Sequence, residues 1–90
     1  MSKPILYIKQ GCPWCNEALA AFESKKIEIE VVDVRTNPSR MNELVEVSGQ
    51  NKTPTLLNDR FVVADFDMEE FDSAMKQNPE EAKKIGWNKN

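Results

Sequence analysis

Cys12 and Cys15 are the only cysteines in the chain, and both lie in the tetrapeptide Cys12-Pro13-Trp14-Cys15. The four residues stand between a short apolar run and a helix-forming stretch. Ile5 to Ile8 is continuously apolar, the pattern of a strand buried on both faces. Lys9-Gln10-Gly11 then forms a loop. Pro13 suits the first position of a helix, where a missing N–H costs nothing. Asn16 to Ser24 are good helix formers, and Cys15, Ala18, Leu19 and Phe22 recur at the spacing of one buried stripe. Cys12 therefore falls at the mouth of a helix, and Cys15 begins its core-facing side.

The rest of the chain continues this alternation. A second strand is predicted from about Glu28 to Val34, with Ile29 and Val31 on one side and Val32 and Val34 on the other. Asn37 reads as an N-cap with Pro38 at the first helical position. Met41, Leu44 and Val45 make the stripe of that helix, and Gly49 stops it. Thr55 to Leu57 and Phe61 to Ala64 are strands around a two-residue turn at Asn58-Asp59. Asp67 and Glu70 form a capping signature for a third helix, whose buried face is Met68, Phe71, Ala74 and Met75 and which ends at Asn78-Pro79. The order is β-α-β-α-β-β-α: an α/β fold with a mixed four-stranded sheet flanked by helices. Residues 1–78 form one domain. The tail, 79–90, is either frayed or a short helix that docks Trp87.

A C-x-x-C after a strand and at a helix start has the form of a thiol redox motif. Helix N-terminal N–H groups and the macrodipole favour an anion, so Cys12 should ionise more readily than a free thiol. Thiols in such motifs have pKa values of roughly 3.5 to 7, against about 8.5 for a free cysteine. Lys9 adds a positive charge nearby. The more exposed Cys12 is expected to be the nucleophile, and the core-facing Cys15 the resolving thiol. A stapling disulfide is the duller alternative, but so short a loop constrains the unfolded chain little. A shared metal or iron–sulfur cluster is another. Zinc wants four ligands, and this chain offers two cysteines and no histidine. No metal site and no bound cofactor are therefore expected.

Composition narrows the partners. Ninety residues with 40% hydrophobic and 30% charged side chains suit one soluble domain with a modest core. Lys25-Lys26 and Lys83-Lys84 are isolated basic pairs in a chain of net charge −3, so nucleic acid is not expected. No apolar run approaches the roughly 20 residues that span a bilayer, and no secretory signal opens the sequence. A cytoplasmic monomer is expected.

Tyr7-Ile8-Lys9-Gln10-Gly11-Cys12-Pro13-Trp14-Cys15 resembles the glutaredoxin pattern of strand, lysine and C-P-aromatic-C. The similarity runs on through Asp33-Val34, Ser48-Gly49-Gln50, Thr53-Pro54 and Ala64-Asp65-Phe66-Asp67, covering about residues 3–77. It implies a thioredoxin-like fold and disulfide reduction with glutathione as cosubstrate, acting on glutathionylated or disulfide-containing proteins. It also implies that Pro54 is cis and that the Thr53 backbone pairs with the cysteinyl part of glutathione. Lys9 and Gln50 would hold the glycyl carboxylate, Asp65 the γ-glutamyl end, and Trp14 would flank the site. The chain departs from the family at two places. Lys52-Thr53-Pro54 stands for the usual Thr-Val-Pro, and Val63-Ala64 stands where the family carries two glycines before its aspartate. Valine and alanine resist positive φ and crowd a close ligand. Two further readings use the same cysteines: an electron donor recharged by thioredoxin reductase, and a metal or cluster carrier.

Overall fold

In the computed structural model, which describes residues 3–87, β1 (Ile5–Ile8) is the hinge of the architecture. It pairs in parallel with β2 (Glu30–Asp33) on one side and antiparallel with β3 (Thr55–Asn58) on the other. β3 continues antiparallel into β4 (Phe61–Val63), giving the sheet order β2-β1-β3-β4. Helices α1 (Pro13–Ser24), α2 (Pro38–Ser48), α3 (Met68–Gln77) and α4 (Pro79–Ile85) cover the sheet. The expected mixed four-stranded α/β fold is thus present, with one further helix.

The apolar run in β1 works on both faces. Leu6 and Ile8 join the core built with Ala18, Phe22, Leu56 and Phe71. Tyr7 and Ile5 join the opposite cluster, where Val32, Val34 and Leu44 pack beneath α2. The α1 stripe is as expected, with Cys15, Ala18 and Phe22 buried and Leu19 partly so. The capping box at Asp67 and Glu70 is formed in both directions.

Four local expectations are corrected. β2 begins at Glu30 rather than Glu28, because the Glu30 N–H bonds to Pro4 O and earlier pairing would need an N–H that Pro4 lacks. The hairpin turn is Asp59-Arg60, not Asn58-Asp59. Asn58 is still in register with Phe61, and Asp59 takes the positive φ of 56°. On α2, Val45 is exposed and Val47 packs inward beside Met41 and Leu44. Asn37 stands at the N-cap without capping, since its Nδ2 donates to the Asp33 carbonyl at 3.0 Å.

Residues 79–87, open between a frayed tail and a docked helix, form α4 and a docked Trp87; residues 88–90 lie outside the described residues. Ala82, Ile85 and Trp87 are buried in the larger core. The Trp87 ring meets Phe71 edge-on at 4.9 Å and Phe22 at 5.7 Å, and its Nε1–H donates to Asp72 at 3.3 Å.

Candidate active site

Cys12 is the N-cap of α1, with extended backbone angles and Pro13 following at the first helical position. Its Sγ accepts the Cys15 N–H at 3.2 Å, taking the role a serine or aspartate oxygen plays at other helix starts. The Cys12 N–H in turn bonds to the Lys9 carbonyl at 3.2 Å, which closes the loop from β1. The Arg35 guanidinium braces that loop from outside through the Gln10 carbonyl at 2.9 Å. Cys12 is partly exposed, and Cys15 is fully buried one turn along. The asymmetry expected from the helical spacing is therefore present.

Facing the pair is the start of β3. The Thr53–Pro54 bond is cis. The Thr53 carbonyl oxygen lies 4.0 Å from Cys12 Sγ and its hydroxyl 3.9 Å from the same sulfur. Burial opposes ionisation of Cys12, but hydrogen bonds from Cys15, the Thr53 hydroxyl and the Trp14 backbone outweigh it, and its pKa falls below the ordinary thiol value. Cys15 goes the other way. Burial raises its pKa first, and its hydrogen bond to Cys12 adds to that. One thiol is poised as the anion while the other keeps its proton, the division a nucleophile and a resolving thiol require.

The remaining residues implied by the resemblance divide. Lys9 stands in the loop before Cys12, and among the described residues its ammonium forms no ion pair. Trp14 is 54% exposed and forms one wall of a groove of about 300 Å³ with Asp65, Phe66, Asp67 and Glu70. Gln50, by contrast, is tied into its own loop. Its Nε2 donates to Ser48 Oγ at 2.8 Å and Thr55 Oγ1 at 3.2 Å, while its Oε1 accepts the Lys52 N–H at 2.6 Å. Asp65 has a left-handed φ of 52°, and its N–H points inward to Thr55 Oγ1 at 3.3 Å. The next two N–H groups are engaged as well, Phe66 with the Pro54 carbonyl at 3.2 Å and Asp67 with Glu70 Oε1 at 3.0 Å.

Thr55 is the residue that sequence reasoning passed over. It is fully buried, and its hydroxyl also donates to the Lys52 carbonyl at 2.9 Å, so one oxygen ties the 50–53 loop to Asp65. A threonine among the apolar residues of β3 was the available signal. A larger concavity of about 420 Å³ opens by Lys3, Leu19 and Val31 and includes no residue of this site.

The glutaredoxin family model matches residues 5–62, more than half of the chain. Glutaredoxin 3 of Escherichia coli (strain K12) is 27% identical over 59 residues, covering 66% of this chain and 71% of that protein. An uncharacterised glutaredoxin-like 8.6 kDa protein in the rubredoxin operon of Clostridium pasteurianum is 25% identical over 72 residues, covering 80% of this chain and 96% of its own. Among solved structures, the glutaredoxin of Archaeoglobus fulgidus superposes with a TM-score of 0.70 over 81% of this chain and 85% of that one, at 17% identity, a likeness of the thioredoxin-like fold. Because the family model spans the cysteine pair and the Thr53-Pro54 segment that faces it, the chain belongs to the glutaredoxin family.

Proposed function

We propose that this protein is a dithiol disulfide oxidoreductase that reduces glutathione mixed disulfides and protein disulfides through Cys12 and Cys15. The observation that carries this reading is the asymmetry of the pair: a partly exposed Cys12 held toward its anion, and a buried Cys15 within reach that keeps its proton. In the first step the Cys12 thiolate attacks one sulfur of the target, a new S–S bond forms, and the other sulfur leaves as a thiolate. Where the adduct is with glutathione, a second glutathione releases it. Where it is with a protein, Cys15 attacks Cys12 and the chain is left oxidised, two electrons having passed to the substrate. Glutaredoxin potentials near −200 to −230 mV lie close to the cytosolic glutathione poise, so the cycle runs in either direction. The reading carries with it a reducing, cytoplasmic setting, a monomeric working form and no resident cofactor.

Glutathione is the proposed electron source, held by Lys9, the Thr53 backbone and the groove beside Trp14. A second reading, recharge by thioredoxin reductase, draws support from one observation. The Gln50 amide and the Asp65 N–H, two donors a glutathione carboxylate would use, are both engaged inside the protein. Steady-state reduction of a glutathionylated substrate tests both, run with glutathione and its reductase and, in parallel, with NADPH and thioredoxin reductase. Turnover with glutathione supports the first reading. Turnover with thioredoxin reductase alone replaces it with the second, and failure with both overturns the disulfide chemistry.

A further inference from the structure

Lys9 and Gln50 are the pair that the resemblance assigns to the glycyl carboxylate of glutathione, yet the Gln50 amide is closed on Ser48, Thr55 and the Lys52 N–H. A second cation reaches the loop that carries Lys9. Arg35 follows β2 in a turn built on Asp33. Its own N–H bonds to Asp33 Oδ1 at 2.9 Å, and the Thr36 hydroxyl and Asn37 Nδ2 donate to the Asp33 carbonyl at 3.3 and 3.0 Å. From this turn the exposed Arg35 side chain reaches the Gln10 carbonyl at 2.9 Å, one residue beyond Lys9 and two before Cys12.

We propose that Arg35 is a specificity-determining residue of the disulfide site, holding the glycyl carboxylate of glutathione together with Lys9 in the place of Gln50. The proposal rests on the glutathione reading above and names that carboxylate's second partner. A guanidinium carries five N–H donors in one plane, and among the described residues only Nη1 of Arg35 has an acceptor. Nor does Arg35 form an ion pair among them. The donors left over suit a carboxylate, which takes two of them side by side from a guanidinium and not from an ammonium. The anchor on Gln10 lowers the ordering cost that a long exposed side chain otherwise meets on binding. The groove beside Trp14 is no competitor for this group. Asp65, Asp67 and Glu70 line it, and they repel a carboxylate that has no ammonium beside it. The γ-glutamyl end of glutathione carries such an ammonium, whereas the glycyl end does not.

Two substrates that differ only in this carboxylate test the assignment. A short uncharged peptide with one cysteine is offered as its mixed disulfide with glutathione, or with glutathione esterified at the glycyl carboxylate. Both are turned over with glutathione and its reductase. The wild-type protein should prefer the acid in kcat/KM, chiefly through KM. Arg35→Gln should shrink that preference by about three- to tenfold, the scale of one charge-assisted contact at an exposed site. Arg35→Lys should keep part of it, and Gln50→Ala should narrow it less than Arg35→Gln does. The ratio of acid to ester cancels whatever the lost Gln10 contact does to the loop itself. A preference in Arg35→Gln equal to that of the wild type overturns the proposal, even where both rates fall, for Arg35 then acts only as a brace. A wild-type protein without a preference overturns it too. A wild-type protein that turns over neither adduct with glutathione overturns instead the glutathione reading beneath it, and the proposal falls with that reading.

Discussion

Around Cys12 the hydrogen-bond donors point at the nucleophile; along residues 50–55 and 65–67 they point back into the protein. At the helix mouth, the Cys15 N–H and the Thr53 hydroxyl converge on one sulfur. Across the cleft, the Gln50 amide and the N–H groups of Asp65, Phe66 and Asp67 each have an internal acceptor. The contrast separates two demands on a site. A thiolate is made by donors fixed in place, whereas a ligand's carboxylate needs donors left open. The residue types suit both tasks, and the hydrogen-bond partners decide which task each residue performs.

The comparison breaks most completely if the converging donors do not make Cys12 the nucleophile. Cys12→Ser should bring turnover of every disulfide substrate to the uncatalysed rate. Because the Cys12 pKa is lowered, the thiolate fraction and hence the wild-type rate should rise with pH below the range of an ordinary thiol and level off above it. The chain has no histidine, so a rise in that range reports Cys12. Persistence of the same titration in Cys12→Ser, followed through an added thiol reporter, would contradict the assignment. Cys15→Ser should retain turnover of glutathionylated substrates and lose reduction of protein disulfides. Equal loss of both would mean that the protein works by the two-cysteine route alone.

How far each side could be read from the sequence follows from the range of the forces involved. The cysteine side is local. A four-residue apolar run, a loop, a proline at the first helical position and a stripe at helical spacing place both thiols within about twenty residues. The side proposed for glutathione depends on partners that only the fold supplies. Gln50 and Asp65 were recognisable as polar residues in the right places, but Thr55, which engages both, was not recognisable as their acceptor. Similar non-local causes moved the start of β2, fixed by Pro4 across the strand pair, and the hairpin turn, fixed by the pairing of Asn58 with Phe61. α4 was half legible. Ile85 and Trp87 stood out in a polar tail, yet their docking depends on the Phe22 and Phe71 rings, distant in sequence.

Removing the Thr55 hydroxyl sharpens the contrast next. Thr55→Val keeps the shape and leaves the Lys52 carbonyl, the Gln50 amide and the Asp65 N–H without their shared partner, at a cost of about 1–3 kcal/mol in denaturant unfolding. The KM for glutathione should hold or fall, since the donors set free are those a bound carboxylate could use. A KM that rises with the loss of stability would show that the Thr55 network presents those donors to the ligand instead of withholding them.

The smallest effect separates the two residues assigned to one carboxylate. Lys9 forms no ion pair among the described residues and Gln50 is engaged at both ends of its amide, so their substitution should not cost the same. An exposed ion pair contributes about 0.2–1 kcal/mol, so Lys9→Gln should raise the KM for glutathione by about two- to fivefold, and less so in high salt. Gln50→Ala should act instead on stability, by the net worth of its hydrogen bonds, about 1 kcal/mol, with KM nearly unchanged. The salt series decides the matter, because only a direct charge contact loses its effect on KM as screening increases. If Gln50→Ala raises KM as much as Lys9→Gln, the amide must leave Ser48 and Thr55 when glutathione arrives. The inward-facing donors would then be a resting arrangement that the ligand reopens.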